Sequence, residues 1–303
     1  MTQPLDTVEK SMNKLFGFKL AFATTNRLKS TAARYYSETY DDIIQKITHG
    51  KLIHADETKV SVKGETWFVW VLTSMEEVVY LCKESREGAF LQALLEEFKG
   101  VLVSDFYAAY DGIGCPQQKC LIHMMRDIND ALYKNPYDYE LKRIAENFKN
   151  LLKPIIETVD RFGLKKHFLK KHLFDVNRFF NRLSSMDMKS EPSMKCKQRL
   201  EKNRQELFTF LNYDGIPWNN NNAEHAIKAF AVLRNTINGV TSAKGLHDYL
   251  ILLSICETCK YKGFDVLDFL RSGEKDIFAY AGPQERRRTR GSIERKQEAV
   301  DSP

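Results

Sequence analysis

The chain has 303 residues, 43% of them hydrophobic and 28% charged, enough for one large domain or two small ones with the balance of an ordinary globular protein. Its longest apolar run, LILLSIC at 250–256, is too short to cross a bilayer, and MTQPLDTVEK carries no apolar signal core, so a cytoplasmic protein without membrane attachment is expected. Six cysteines without framework spacing are expected to be thiols, and the net charge of +6 is concentrated: residues 161–204 hold 13 Lys or Arg against 4 Asp or Glu. That surface suits phosphate, or is a solvated helical face; the stretch alone leaves both open.

Residues 5–47 have apolar positions at helical spacing with a break near Gly17. TVEKSMNKLFG and TTNRLKSTAARYY are compatible with a helix-turn-helix pair, but a plain helical lead-in over 1–50 is the simpler reading. The period then changes to two. In KLIHADETKV, His54, Asp56 and Thr58 share one strand face, and Ala55 and Glu57 share the other, so Asp56 and Glu57 do not point into one site. TWFVWVLTS (66–74) and EVVYLCK (77–83) read as two further strands of a meander. REGAFLQALLEEFKG reads as an amphipathic helix closed by Gly100, and VLVSDF as a strand buried on both faces, with Asp105 at its tip. KCLIHMM (119–125) is a fifth strand or the start of a helix.

A helix between the third and fourth strands lets the fourth lie parallel beside the first, so Asp105 can stand next to Asp56. Three antiparallel strands followed by parallel ones is the ribonuclease-H-like α/β pattern, expected over 51–125. Residues 126–215 read as a basic helical insertion between the second and third catalytic carboxylates. Trp218 and the asparagines 219–222 mark a loop in which an asparagine can cap the next helix. On that helix Ala223, Ala226, Ile227, Phe230, Leu233 and Ile237 form an apolar face. Glu224, Lys228, Ala231 and Asn235 form another. GLHDYLILLSICETCKYKG is a more buried helix ended by Gly263, completing a C-terminal core part over 216–272. Residues 273–303 read as a charged tail, disordered from Pro283.

Two strand-end aspartates and a glutamate in the first turns of a helix suit a cage of hard oxygen ligands. Such cages hold Mg²⁺, or Mn²⁺, in pairs that work on phosphodiesters. Asp56, Asp105 and Glu224 are therefore the candidate catalytic and metal-binding residues. Lys228, Arg234 and Lys244 are candidates for DNA phosphate contact, with exposed solubilising charge the alternative. Asp111 is expected to shape the turn DGIG, and Asp127 and Asp130 to lie on a helix surface. Cys120 and His123 form C-x-x-H, too few ligands for zinc; His123 is expected as a supporting hydrogen-bonding residue near Asp105. Cys256 and Cys259 fall within a helix pattern as core or boundary thiols.

Together HADET, SDFYAAYDG, C-x-x-H and WNNNNAEHAIKAFAVLRN resemble the catalytic domain of the insertion sequence 66 family of bacterial DDE transposases. SICETCKYKGFDVLDFL is similar to that family's C-terminal helical signature, so the resemblance covers about 50 to 272. It implies a ribonuclease-H-like fold, the triad Asp56, Asp105 and Glu224, and Mg²⁺ or Mn²⁺. It also implies hydrolysis at transposon ends and attack of the freed 3′-hydroxyl on double-stranded target DNA. Accessory element-encoded proteins and a dimer or larger complex on DNA are implied as partners. Full-length members carry an N-terminal coiled-coil-like segment and a cysteine-rich zinc-binding region, so this chain reads as N-terminally short. A catalytically silent DNA-binding relic or repressor, and a structure-specific nuclease on the same fold, are the alternative functions.

Overall fold

The computed structural model describes residues 5–237 and 242–280. Three helices lead: α1 (Leu5–Phe16), α2 (Phe22–Tyr35) and α3 (Ser37–Thr48). Gly17, at positive φ, stops the first of them, where the sequence predicts the break. Strands β1 (Leu52–Val62), β2 (Glu65–Thr73) and β3 (Val78–Lys83) follow as the expected meander. Lys63 and Gly64, both at positive φ, make the two-residue turn between β1 and β2, the geometry that matches strand twist. Then come α4 (Ala89–Leu94), β4 (Val101–Ser104) and β5 (Gln117–Lys119). The five strands form one mixed sheet in the order β3-β2-β1-β4-β5. The pair β2–β3 is antiparallel, while β4 runs parallel to both β1 and β5. The remaining elements are helical: α5 (Leu121–Lys134), α6 (Tyr139–Phe162), α7 (Lys166–Leu169), α8 (Leu173–Ser185), α9 (Glu191–Lys202), α10 (Asn221–Ile237), α11 (Ala243–Tyr261) and α12 (Val266–Ser272).

The amphipathic helix expected over 86–100 is a correction. Only Ala89–Leu94 is helical; Leu95 and Phe98 stay buried in a turn closed by Phe98 N–H to Leu95 O. The chain must leave the helical path there, because Val101 N–H already bonds Lys51 O as β4 begins. Gly100 is therefore no helix cap. A Cβ on it would meet the Lys51 carbonyl at 2.6 Å, so its role is close backbone approach. At 119–125 both alternatives hold in succession, since the strand ends at Lys119 and the helix starts at Leu121.

The chain forms two compact units, one of residues 1–47, 57–86 and 225–303, the other of 48–56 and 87–224. In the first, α11 lies along the edge strand β3. Thr258 Oγ1 accepts from Val78 N–H at 3.0 Å and donates to Val78 O at 3.1 Å; Ser254 Oγ accepts from Tyr80 N–H at 3.0 Å. Both hydroxyls are fully buried, as are Cys259 and most of Cys256. Gly263, at positive φ, lies beyond the helix end as expected. Residues 273–280, read as the start of the tail, pack: Ile277 and Tyr280 are buried, and Tyr280 meets the rings of Phe264 and Phe269. The tail from Pro283 lies outside the described residues.

In the second unit one apolar core joins the strands to the helices. It runs from Leu52, Val101 and Val103 through Leu121, Met124 and Ile128 to Ile144, Phe148, Phe180 and Phe208. Residues 126–212 are helical and carry no strand, as expected. Ten of the 13 basic residues over 161–204 are exposed. Among the described residues no helix is long and apolar enough to cross a membrane.

Candidate active site

Strands β1 and β4 pair in parallel with Leu52 opposite Val101, Ile53 opposite Leu102 and His54 opposite Val103. Carried two residues on, that register sets Asp56 beside Asp105 on one face, on neighbouring strands roughly 4.8 Å apart. Both aspartates are half-buried, whereas residues 52–55 and 101–104 are buried. Asp105 follows the last residue of β4, but the expected strand end at Asp56 is a correction: β1 runs on to Val62, and Val60 and Val62 are buried again. Asp105 Oδ1 accepts from Tyr107 N–H at 2.9 Å, an Asx turn that takes the chain off the strand. Glu57, on the opposite face, pairs with Arg86, which agrees with its exclusion from the site.

Glu224 sits in the first turn of α10. Its N–H donates to Asn220 O at 3.2 Å, and Asn221 N–H donates to the Asn219 side chain at 3.1 Å. Asn220 is 1% exposed and reaches across to β1: Nδ2 donates to Ala55 O at 2.8 Å, and Oδ1 accepts from His54 Nδ1 at 3.1 Å. The amide nitrogen is committed to a carbonyl, so the proton in the histidine bond belongs to His54 Nδ1. Burial pushes the His54 imidazole down to about 4, so it is neutral at pH 7. Its Nε2 is buried with no hydrogen-bond partner among the described residues.

His123, in the first turn of α5, stands against Glu224, with Nε2 3.6 Å from Glu224 Oε1. A hydrogen bond with Cys120 lifts its affinity for a proton most; burial opposes, and the Glu224 charge adds to the rise. Glu224 Oε1 is buried and makes no hydrogen bond among the described residues. That oxygen faces His123 Nε2, and the carboxylates of Asp56, Asp105 and Glu224 are chemically of the hard-oxygen type that suits Mg²⁺ or Mn²⁺. Among the described residues no three His, Cys, Asp or Glu side chains come together as a ready metal-ligand group.

The other candidates are placed as follows. Lys228 is exposed. Arg234 donates to Thr58 Oγ1 at 2.8 Å and Lys59 O at 3.1 Å, holding the end of β1. Lys244 pairs with Asp248 at 2.6 Å, four residues along α11. Asp111 binds the buried Lys119 at 3.2 Å and Asp127 pairs with Arg199, so both are structural anchors. On α10, Ala223, Ala226 and Phe230 are buried as expected; the side chains of Leu233 and Ile237 lie outside the described residues. Sequence reasoning passed over Asn220 and Cys120 as site builders. The run of four asparagines marks a loop without singling out Asn220, and nothing near His54 in the sequence shows that it is buried.

Among the described residues the chain is a mixed α/β protein built on one five-stranded mixed sheet. The particular family follows from comparison: the model described as Transposase IS66 family matches residues 1–248, and the chain belongs to that family. The match supports a transposase function and with it a DNA-modifying enzyme. It starts at residue 1, so it takes in α1–α3, which the sequence resemblance from about residue 50 left out. The segment SICETCKYKGFDVLDFL lies beyond the matched range. No curated protein matches the chain.

Proposed function

We propose that this transposase-family chain is a DDE catalytic core on a ribonuclease-H-like sheet, acting in the cytoplasm on double-stranded DNA at transposon ends and target. The observation that carries the reading is the parallel register that sets Asp56 beside Asp105, with Glu224 tied back to the same strand through Asn220. Asp56, Asp105 and Glu224 would hold Mg²⁺ or Mn²⁺. When bound, such ions supply Lewis acidity and lower the pKa of a bound water or hydroxyl.

The chain's own residues do the positioning. The Asx turn at Asp105 fixes one carboxylate beyond the sheet edge, where a duplex has room. His123 holds the Glu224 carboxylate from one side and leaves its second oxygen for a ligand. The exposed basic residues of 161–204 fit a phosphate backbone. Joining two ends calls for at least two copies in the DNA complex.

The test is cleavage of labelled element-end duplexes with Mg²⁺ or Mn²⁺, beside Asp105→Ala. Metal-dependent nicking at the end junction, lost in the variant, is expected. Binding without cutting would instead identify a silent relic or repressor. Cutting of branched DNA with indifference to element ends would identify a structure-specific nuclease.

A further inference from the structure

Asn220 stands where an ordinary helix cap belongs, but its side chain does not cap. A capping asparagine turns its oxygen to the second or third helical N–H and stabilises the helix by about 1 kcal/mol. Here Oδ1 accepts from His54 and Nδ2 donates to Ala55 O, both on β1, from a position 1% exposed. The main chain of the same residue is engaged at both ends. Its N–H donates to Cys120 Sγ at 3.3 Å, and its C=O accepts from Glu224 N–H at 3.2 Å. Cys120 N–H in turn donates to Ser104 O at 2.9 Å.

These bonds share a pattern. Ala55 immediately precedes Asp56, Ser104 immediately precedes Asp105, and the third bond ends on Glu224 itself. One buried residue is thus one or two hydrogen bonds from the backbone beside each of the three carboxylates. His54 completes it. Its ring is buried and bonded through Nδ1 alone, since Nε2 has no partner among the described residues. The hydrogen bond it makes fixes the rotation of the Asn220 amide, which keeps Nδ2 on Ala55 O.

We propose that Asn220, oriented by His54, is the positioning residue that sets the spacing of Asp56, Asp105 and Glu224 for cation binding. This rests on the reading of those three as metal-binding carboxylates. Residues that orient ligands without touching the metal commonly change affinity by roughly 10–100-fold, and that is the size expected.

The experiment is Mn²⁺ binding to the full chain without DNA, followed by the paramagnetic signal of free Mn²⁺, with steady-state DNA cleavage measured in parallel. Asn220→Ala is expected to weaken Mn²⁺ at least roughly tenfold and lower kcat, with KM for the duplex unchanged. His54→Phe keeps a ring but no donor and is expected to do the same. His54→Asn, whose Nδ2 stands near the place of Nδ1, is expected to recover most of the affinity. Wild-type Mn²⁺ binding in Asn220→Ala would overturn the proposal, as would equal losses in the two His54 variants. An Asn220→Ala chain that fails to fold leaves the decision to the His54 pair. Absence of Mn²⁺ binding by the wild type, or binding indifferent to Asp105→Ala, would overturn the metal-site reading itself and this inference with it.

Discussion

The two units treat the backbone and side-chain polarity of the sheet in opposite ways. In the unit holding β2 and β3, the outward N–H groups of Val78 and Tyr80 are closed off by hydroxyls of α11, and little is left for a ligand. In the unit holding β4 and β5, Asp56, Asp105 and Glu224 are half-buried, and Glu224 Oε1 faces His123 Nε2 at 3.6 Å. Buried polar groups bonded within the molecule hold a fold; half-exposed charges of a single sign are placed to meet a ligand. Under the proposed function, the difference gives stability to one set of polar residues and chemistry to the other.

That contrast can be broken by substitution. Asp105→Ala should lower metal-dependent cleavage at least roughly a thousandfold and leave the unfolding midpoint unchanged or raised, since it removes a charge from an acidic group. A stability loss matching the activity loss would place Asp105 among the structural residues. Gly100→Ala should do the reverse. Its Cβ has no room against the Lys51 carbonyl, and overpacking of that kind costs ~3 kcal/mol in chemical unfolding. Thr258→Val keeps shape but strips both bonds from Val78. It should cost about 2 kcal/mol while leaving cleavage per folded molecule intact. Smallest of all, Lys10→Ala breaks only an exposed pair with Asp6 and should change the unfolding midpoint immeasurably.

Legibility followed the same division. The strands β1–β4 were readable because their apolar and β-branched residues alternate or run unbroken, and the helix bearing Glu224 because its apolar positions repeat at helical spacing. The strand β5 was blurred. Gln117, Gln118 and Lys119 look like surface residues yet are buried, with side-chain nitrogens bonded to Tyr110 O, Leu207 O and Asp111. The helix over 86–100 was overextended because Leu91, Leu95 and Phe98 keep helical spacing after the backbone has turned. Asp56, Asp105 and Glu224 stand out in the sequence by residue type; Asp105 falls just past β4 and Glu224 in the first turn of α10, whereas Asp56 falls inside β1. His54 and Asn220 did not, because their bond joins residues 166 apart in sequence and nothing local marks either end.

The α11 hydroxyls on β3 also limit how copies of this chain can assemble. An exposed strand edge is the usual place for a second chain to add its own strand, whether in a specific dimer or in aggregation. At Val78 and Tyr80 that route is occupied from within the molecule. A second copy of this chain therefore cannot extend this sheet along the first half of β3.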